Sequence, residues 1–212
     1  MINLIDVGCV GEKLPSPWKK YIKKIDTILS VDPLAEDYQV KEINSKVIHK
    51  NCAIFSQEGK RNFYIYNKEA CSSLLKMNCD FFIETFGEVP EKYRLKKITE
   101  VNCVRLDSLI DDLNVNFDFI KVDAQGTDLE VVKSLGRYLE EQIVGIHIEL
   151  YFVPHYEGAI LFDEADSFLR EHNFQMAKSI RRKNSDILND FLYIRKDNMK
   201  RKQIKLVRKI YK

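Results

Sequence analysis

Within the first eleven residues, Met1 to Gly11, an apolar strand runs directly into Asp6-Val7-Gly8-Cys9-Val10-Gly11. A strand that turns sharply into a helix needs positive φ, and a residue without a Cβ lets the main chain approach a ligand. Such a pattern favours α/β folds that bind at the carboxyl end of a strand. Ser30-Val31-Asp32-Pro33 strengthens it. An acid about 20 residues beyond the glycines, at the end of the next apolar run, is placed to accept hydrogen bonds from ribose hydroxyls. The two segments point to an adenosine-containing ligand, with Asp6 tying the turn, Gly8 and Gly11 against the ligand and Asp32 on its ribose.

The remaining periodicity agrees with that class. Pro15 to Lys24 reads as a helix, with Trp18, Tyr21, Ile22 and Ile25 at i, i+3, i+4 and i+7, and Ile25 to Val31 as the second strand. Lys46 to Phe55 reads as a third strand, whose end places Ala53 beside a bound ring. Lys60 to Tyr66 follows as a half-exposed strand after a turn at Gly59. Ala70 to Thr99 reads as helix and loop over the site. Val101 to Leu106, Phe117 to Asp123, Val144 to Leu150 and Phe191 to Arg195 read as strands. Helices are expected over Ser108 to Leu113, Leu129 to Leu139 and Leu161 to Glu171. Strands alternating with helices predict a doubly wound, mostly parallel sheet of Rossmann-like type, with an added hairpin region and an antiparallel final strand.

Composition narrows the function classes. The five cysteines are odd in number and contain no CxxC, and the four histidines show no HxxxH, so no metal site is expected. No apolar stretch approaches the roughly 18 residues that cross a bilayer. The apolar start lacks a basic leader and a small-residue cleavage site, and a cytoplasmic location is expected. Net charge is +2, but residues 196–212 hold eight Lys or Arg against Asp197 alone. That segment therefore carries +7 and the remainder of the chain is acidic. The expected division is a domain over 1–197 and a basic tail over 198–212. With Ile204, Val207 and Ile210 at helical spacing, the tail fits a helix resting on an anionic membrane. The acidic body and the lack of an Asn/Asp-Pro-Pro-Tyr/Phe segment disfavour nucleic acid as a partner. A homodimer is among the assemblies the sequence allows.

Five segments, in order and spacing, resemble the FkbM-type methyltransferases: Ile5-Asp6-Val7-Gly8, Val31-Asp32-Pro33, Ser72-Ser73-Leu74, Val104-Arg105-Leu106-Asp107-Ser108-Leu109 and Phe119-Ile120-Lys121-Val122-Asp123-Ala124-Gln125-Gly126-Thr127-Asp128. The resemblance implies a class I methyltransferase fold, S-adenosylmethionine as cofactor, and a hydroxyl of a glycan, sugar or small metabolite as acceptor. The chain departs from the family pattern after the fourth strand. Where the family usually carries Glu-Gly-x-Glu, this sequence has Gln125-Gly126-Thr127-Asp128.

Methyl transfer to a hydroxyl needs the acceptor oxygen held in line and its proton managed, and a nearby carboxylate contributes about 10²–10⁴ to the rate. Asp123 ends an apolar strand beside a glycine turn, which makes it the first catalytic candidate and a neighbour of the cofactor, with Lys121 on the same face. Glu149 is the second candidate. It shares a strand face with His147, which the sequence places in the core. A catalytically silent cofactor-binding or assembly module, and a nucleic-acid methyltransferase, remain as alternatives.

Overall fold

The computed structural model describes residues 1–9, 17–34, 46–181, 187–197 and 199–212. Gly11 and the start of the expected helix at Pro15 lie outside the described residues. In chain order the first elements are β1 (Ile2–Val7), a 3₁₀ helix (Trp18–Lys24), β2 (Ile25–Val31), β3 (Lys46–Lys50), β4 (Ala53–Ile54) and β5 (Gly59–Tyr66). Then come α1 (Cys79–Phe86), β6 (Leu95–Val104), α2 (Leu106–Leu113), β7 (Phe119–Val122), α3 (Asp128–Lys133) and α4 (Tyr138–Glu141). The chain continues through β8 (Gly145–Tyr151), α5 (Phe162–Glu171), β9 (Phe174–Arg181), β10 (Leu188–Arg195) and α6 (Arg201–Ile210).

Seven strands form a mostly parallel sheet in the order β3-β2-β1-β7-β8-β10-β9, in which β10 runs antiparallel to β8 and β9. Strand order reverses between β1 and β7, and a crevice opens at such a point beyond the strand ends. One face of the sheet carries Ile5, Val7, Leu29, Ile120, Val122 and Ile148, packed with residues of α2, α3, α4 and α5. The opposite face is apolar only at the amino-terminal half of its strands. There Leu4, Ile28 and Phe119, with Ile194 level with them on antiparallel β10, pack with Trp18, Ile204, Val207 and Ile210. Two residues further along the same strands the apolar row gives way to Ser30, Asp6, Lys121 and His147, which are successive register partners across β2, β1, β7 and β8. This polar half of the face becomes a wall of the site.

Four sequence expectations change. Lys46 to Phe55 is not one strand, because β3 joins the large sheet while β4 pairs with β6 in a separate sheet of order β4-β6-β5. Within that sheet β5 and β6 are antiparallel partners with α1 between them, and β6 starts at Leu95, inside the segment read as helix and loop. The expected helix Leu129 to Leu139 is interrupted at Gly136 (φ +51), giving α3 and α4. Residues 201–210, set apart by sequence as a tail, form a helix whose apolar stripe is buried: Ile204 is 9 % exposed, Val207 0 % and Ile210 4 %. Their burial on the sheet takes that stripe out of reach of a membrane. No helix among the described residues is long and apolar enough to cross a membrane.

Candidate active site

A cavity of about 380 Å³ opens at the carboxyl ends of β1, β2 and β7 and is lined by Asp6, Gly8, Asp32, Ala53 and Asp123. These are the described residues expected at the cofactor site, together with the first catalytic candidate. Two ladder bonds carry the strand ends into the site: Gly8 N donates to Val31 O at 3.0 Å and Asp123 N to Val7 O at 3.1 Å. Gly8 has φ +77, and a Cβ there would lie 1.9 Å from the Asp123 carbonyl oxygen. The space its missing side chain leaves is therefore filled by the end of β7, where the sequence reading assigned it to a ligand.

The lining also includes apolar residues, among them Leu34, Cys52, Ala53, Ile54, Phe63 and Leu74. The Asp32 carboxylate is oriented by its own turn, since Oδ1 accepts from Leu34 N at 2.8 Å. Cys9 also lines the cavity, but burial pushes its thiol up to about 12, which leaves it un-ionised at neutral pH.

The polar wall is organised around Lys121. Its Nζ donates to Gly8 O at 3.3 Å and lies 3.4 Å from Asp6 Oδ1 and 3.8 Å from Asp123 Oδ2. Burial works against the ammonium, but the carboxylates of Asp6 and Asp123 outweigh it and hold its pKa above the usual lysine range. Burial also raises the Asp6 carboxyl, against the pull of Lys121.

Glu149, two residues beyond His147 on the same face of β8, is fully buried and does not line the cavity. The structure corrects its expected contact with an acceptor: Gln125 and Tyr151 cover it. Gln125 Nε2 donates to Asp123 Oδ1 at 2.6 Å and to Glu149 Oε1 at 2.9 Å, while Tyr151 Oη lies 2.9 Å from Glu149 Oε1. On its other side the amide oxygen receives Tyr156 Oη at 2.9 Å. Burial holds both phenols well above the usual tyrosine range, so they remain donors. The amide thus separates two carboxylates that would otherwise repel each other and holds Asp123 in place. Gln125 itself has φ +53. Its loop is tied by Asp128, which accepts from Ala124 N at 2.8 Å and Gly126 N at 2.9 Å, and burial raises that carboxyl to about 7.

Sequence reasoning missed two partners of the wall. His147, expected in the core, lines the cavity, as does Asp190 of β10. Trp18 Nε1 donates to Tyr211 Oη at 2.9 Å, and Tyr211 Oη lies 2.8 Å from His147 Nδ1. An indole N–H only donates, so the phenol oxygen accepts from Trp18, and its own proton goes to Nδ1 where the imidazole is protonated on Nε2. That Nε2 faces Asp190 Oδ1 at 3.6 Å. The last strand, expected from Phe191, starts at Leu188 and so includes Asp190. Extending the alternation of Phe191 to Arg195 backwards puts Asp190 on the face of Leu192 and is the signal that would have found it. Among the described residues no group of three or more His, Cys, Asp or Glu side chains is arranged to hold a metal ion.

The FkbM methyltransferase domain matches residues 14–176 of the chain, which belongs to that family. Searches of curated proteins and of solved structures gave no match.

Proposed function

We propose that this FkbM-family methyltransferase uses S-adenosylmethionine to methylate a hydroxyl of a sugar, glycan or small metabolite. The observation that carries the reading is the charge of the cavity. Among the described residues, Asp6, Asp32, Glu69, Asp123 and Asp190 line it against Lys121 as the one cation. A carboxylate-rich wall favours a ligand with sulfonium and ammonium charges and opposes the pyrophosphate of a dinucleotide. When bound, the cofactor would supply an electrophilic methyl group.

The chain's own residues fit it in parts. Asp32 accepts from the ribose hydroxyls, and Ala53 with its apolar neighbours flanks the adenine. Asp6 and Lys121, at the end of β1 and beside it, face the amino-acid portion. Asp123 is the carboxylate that meets the acceptor hydroxyl, and Gln125 and Lys121 hold it so that it orients that hydroxyl and takes up its proton as the new bond forms. Glu149 acts through Gln125, as a positioning residue.

The test is calorimetric titration with S-adenosylmethionine and S-adenosylhomocysteine, with NAD as control, on wild type and Asp32→Ala. We expect micromolar binding of both sulfur compounds, none of NAD, and a loss of at least about tenfold in Asp32→Ala, the equivalent of about 1.4 kcal/mol. Absence of binding by either sulfur compound would remove the reading.

A further inference from the structure

Two lysine-rich segments far apart in sequence lie outside the site. In the 3₁₀ helix Trp18–Lys24, Lys19, Lys20, Lys23 and Lys24 are exposed. In α6, Arg201, Lys202, Lys205, Arg208 and Lys209 are exposed on the side opposite Ile204, Val207 and Ile210. Both elements pack on the same face of the large sheet, and they are joined where Trp18 Nε1 donates to Tyr211 Oη at 2.9 Å. Tertiary structure thereby brings two basic segments onto one surface.

Asp26 is exposed just after the 3₁₀ helix, but two other neighbouring acids are taken up elsewhere and the surface stays basic. Asp118 is held by Lys200 at 2.8 Å and Asp197 by Arg195 at 2.7 Å. None of the exposed cations is ion-paired with a described carboxylate. The pattern also works against the elements that carry it. Like charges four apart on a helix repel, as at Arg201 with Lys205 and Lys205 with Lys209. Arg201 and Lys202 occupy the first turn of α6, where the helix dipole favours acids and none is present. The stability of α6 does not explain this arrangement, and an external anionic surface relieves it.

We propose that the 3₁₀ helix and α6 form a docking surface for anionic lipid headgroups and hold the protein on a bilayer by electrostatics alone. The apolar stripe of α6 is used in the core, so nothing of it inserts. Lysine predominates, and its compact point charge suits a diffuse field of headgroups better than bidentate readout of a single phosphate or base. The exposed side chains of the two elements include no aromatic on which bases would stack. None of these cations lines the cavity, so docking leaves the site's own residues uninvolved.

The test is co-sedimentation of the full chain with vesicles of phosphatidylcholine, alone or with about 30 % phosphatidylglycerol. Binding is expected only with the anionic vesicles, weakening as salt rises from about 50 to about 300 mM. Each lysine removed is expected to weaken it roughly fivefold. Lys205→Ala with Lys209→Ala should therefore cost about 25-fold, and Lys19→Ala with Lys23→Ala as much. Four results would overturn the proposal: no sedimentation with anionic vesicles, equal sedimentation with both kinds, binding that either pair of substitutions leaves unchanged, or tighter binding to a DNA duplex of about 20 base pairs than to vesicles. Circular dichroism and S-adenosylhomocysteine titration of the same variants report on folding and on the cofactor reading separately.

Discussion

Replacing Gly8 by alanine separates two reasons for a glycine at the end of β1. The residue has φ +77, and a Cβ would meet two backbone atoms of Asp123, the oxygen at 1.9 Å and the carbon at 2.9 Å. Positive φ alone costs an L residue about 1–2 kcal/mol. Forcing a methyl into packed backbone adds about 1–3 kcal/mol, so Gly8→Ala is expected to lose about 2–5 kcal/mol. Gly87 supplies the control, because its φ is +82 and a Cβ there would meet nothing within 4 Å. Gly87→Ala should show only the conformational cost, and the two variants should differ by about 1–3 kcal/mol in urea unfolding at unchanged m-value. The clash at Gly8 also displaces the end of β7 and with it Asp123. Binding of S-adenosylhomocysteine is therefore expected to weaken in Gly8→Ala and to persist in Gly87→Ala. Equal destabilisation of the two, or wild-type affinity in Gly8→Ala, would refute the argument that Gly8 exists to seat β7.

Two further perturbations test the packing around the site. His155 sits against the rings of Phe82, Tyr93, Tyr151 and Tyr156, with centroids 4.8 to 5.1 Å away, and burial drives its pKa from 6.5 down to about 4. Between those values the unfolded chain binds a proton that the native state excludes, so stability present above pH 6.5 is lost as the pH falls toward about 4. His155→Phe should remove that loss, gaining roughly 2–3 kcal/mol on wild type between about pH 7 and pH 4.5 in urea unfolding, and an identical pH slope in the two proteins would count against it. Tyr211→Phe keeps the ring but orphans Trp18 Nε1 and His147 Nδ1, at about 1–3 kcal/mol for each buried group. Nitrogen NMR of the wild type should show His147 protonated at Nε2, and protonation at Nδ1, or a Tyr211→Phe protein as stable as wild type, would contradict the proton order.

Several parts of this protein were legible from local sequence. The apolar runs of β1, β2 and β7, each with an acid at or just past its end, follow from side-chain alternation and turn chemistry, which act over a few residues. Those rules placed Asp6, Gly8, Asp32 and Asp123, and the structure lines one cavity with them. Ala53 was placed in the same way, although its strand is a separate two-residue element.

Residues whose surroundings come from elsewhere in the chain were a different matter. His147 has the same alternation as a core histidine, and only the fold brings Tyr211, 64 positions away, against its Nδ1 and places it in the wall. Glu149 has the spacing of a catalytic acid, and only the packing of Gln125 and Tyr151 over it removes it from the cavity. The stripe Ile204, Val207 and Ile210 is equally suited to lipid or to a sheet face, because amphipathicity states that a helix has an apolar side and not what covers it. Sequence by itself determined which segments alternate, where they turn and which ends carry acids. The tertiary structure decided which of two apolar surfaces α6 would meet, and which carboxylates reach the cavity, because burial and pairing depend on neighbours brought together by the whole fold.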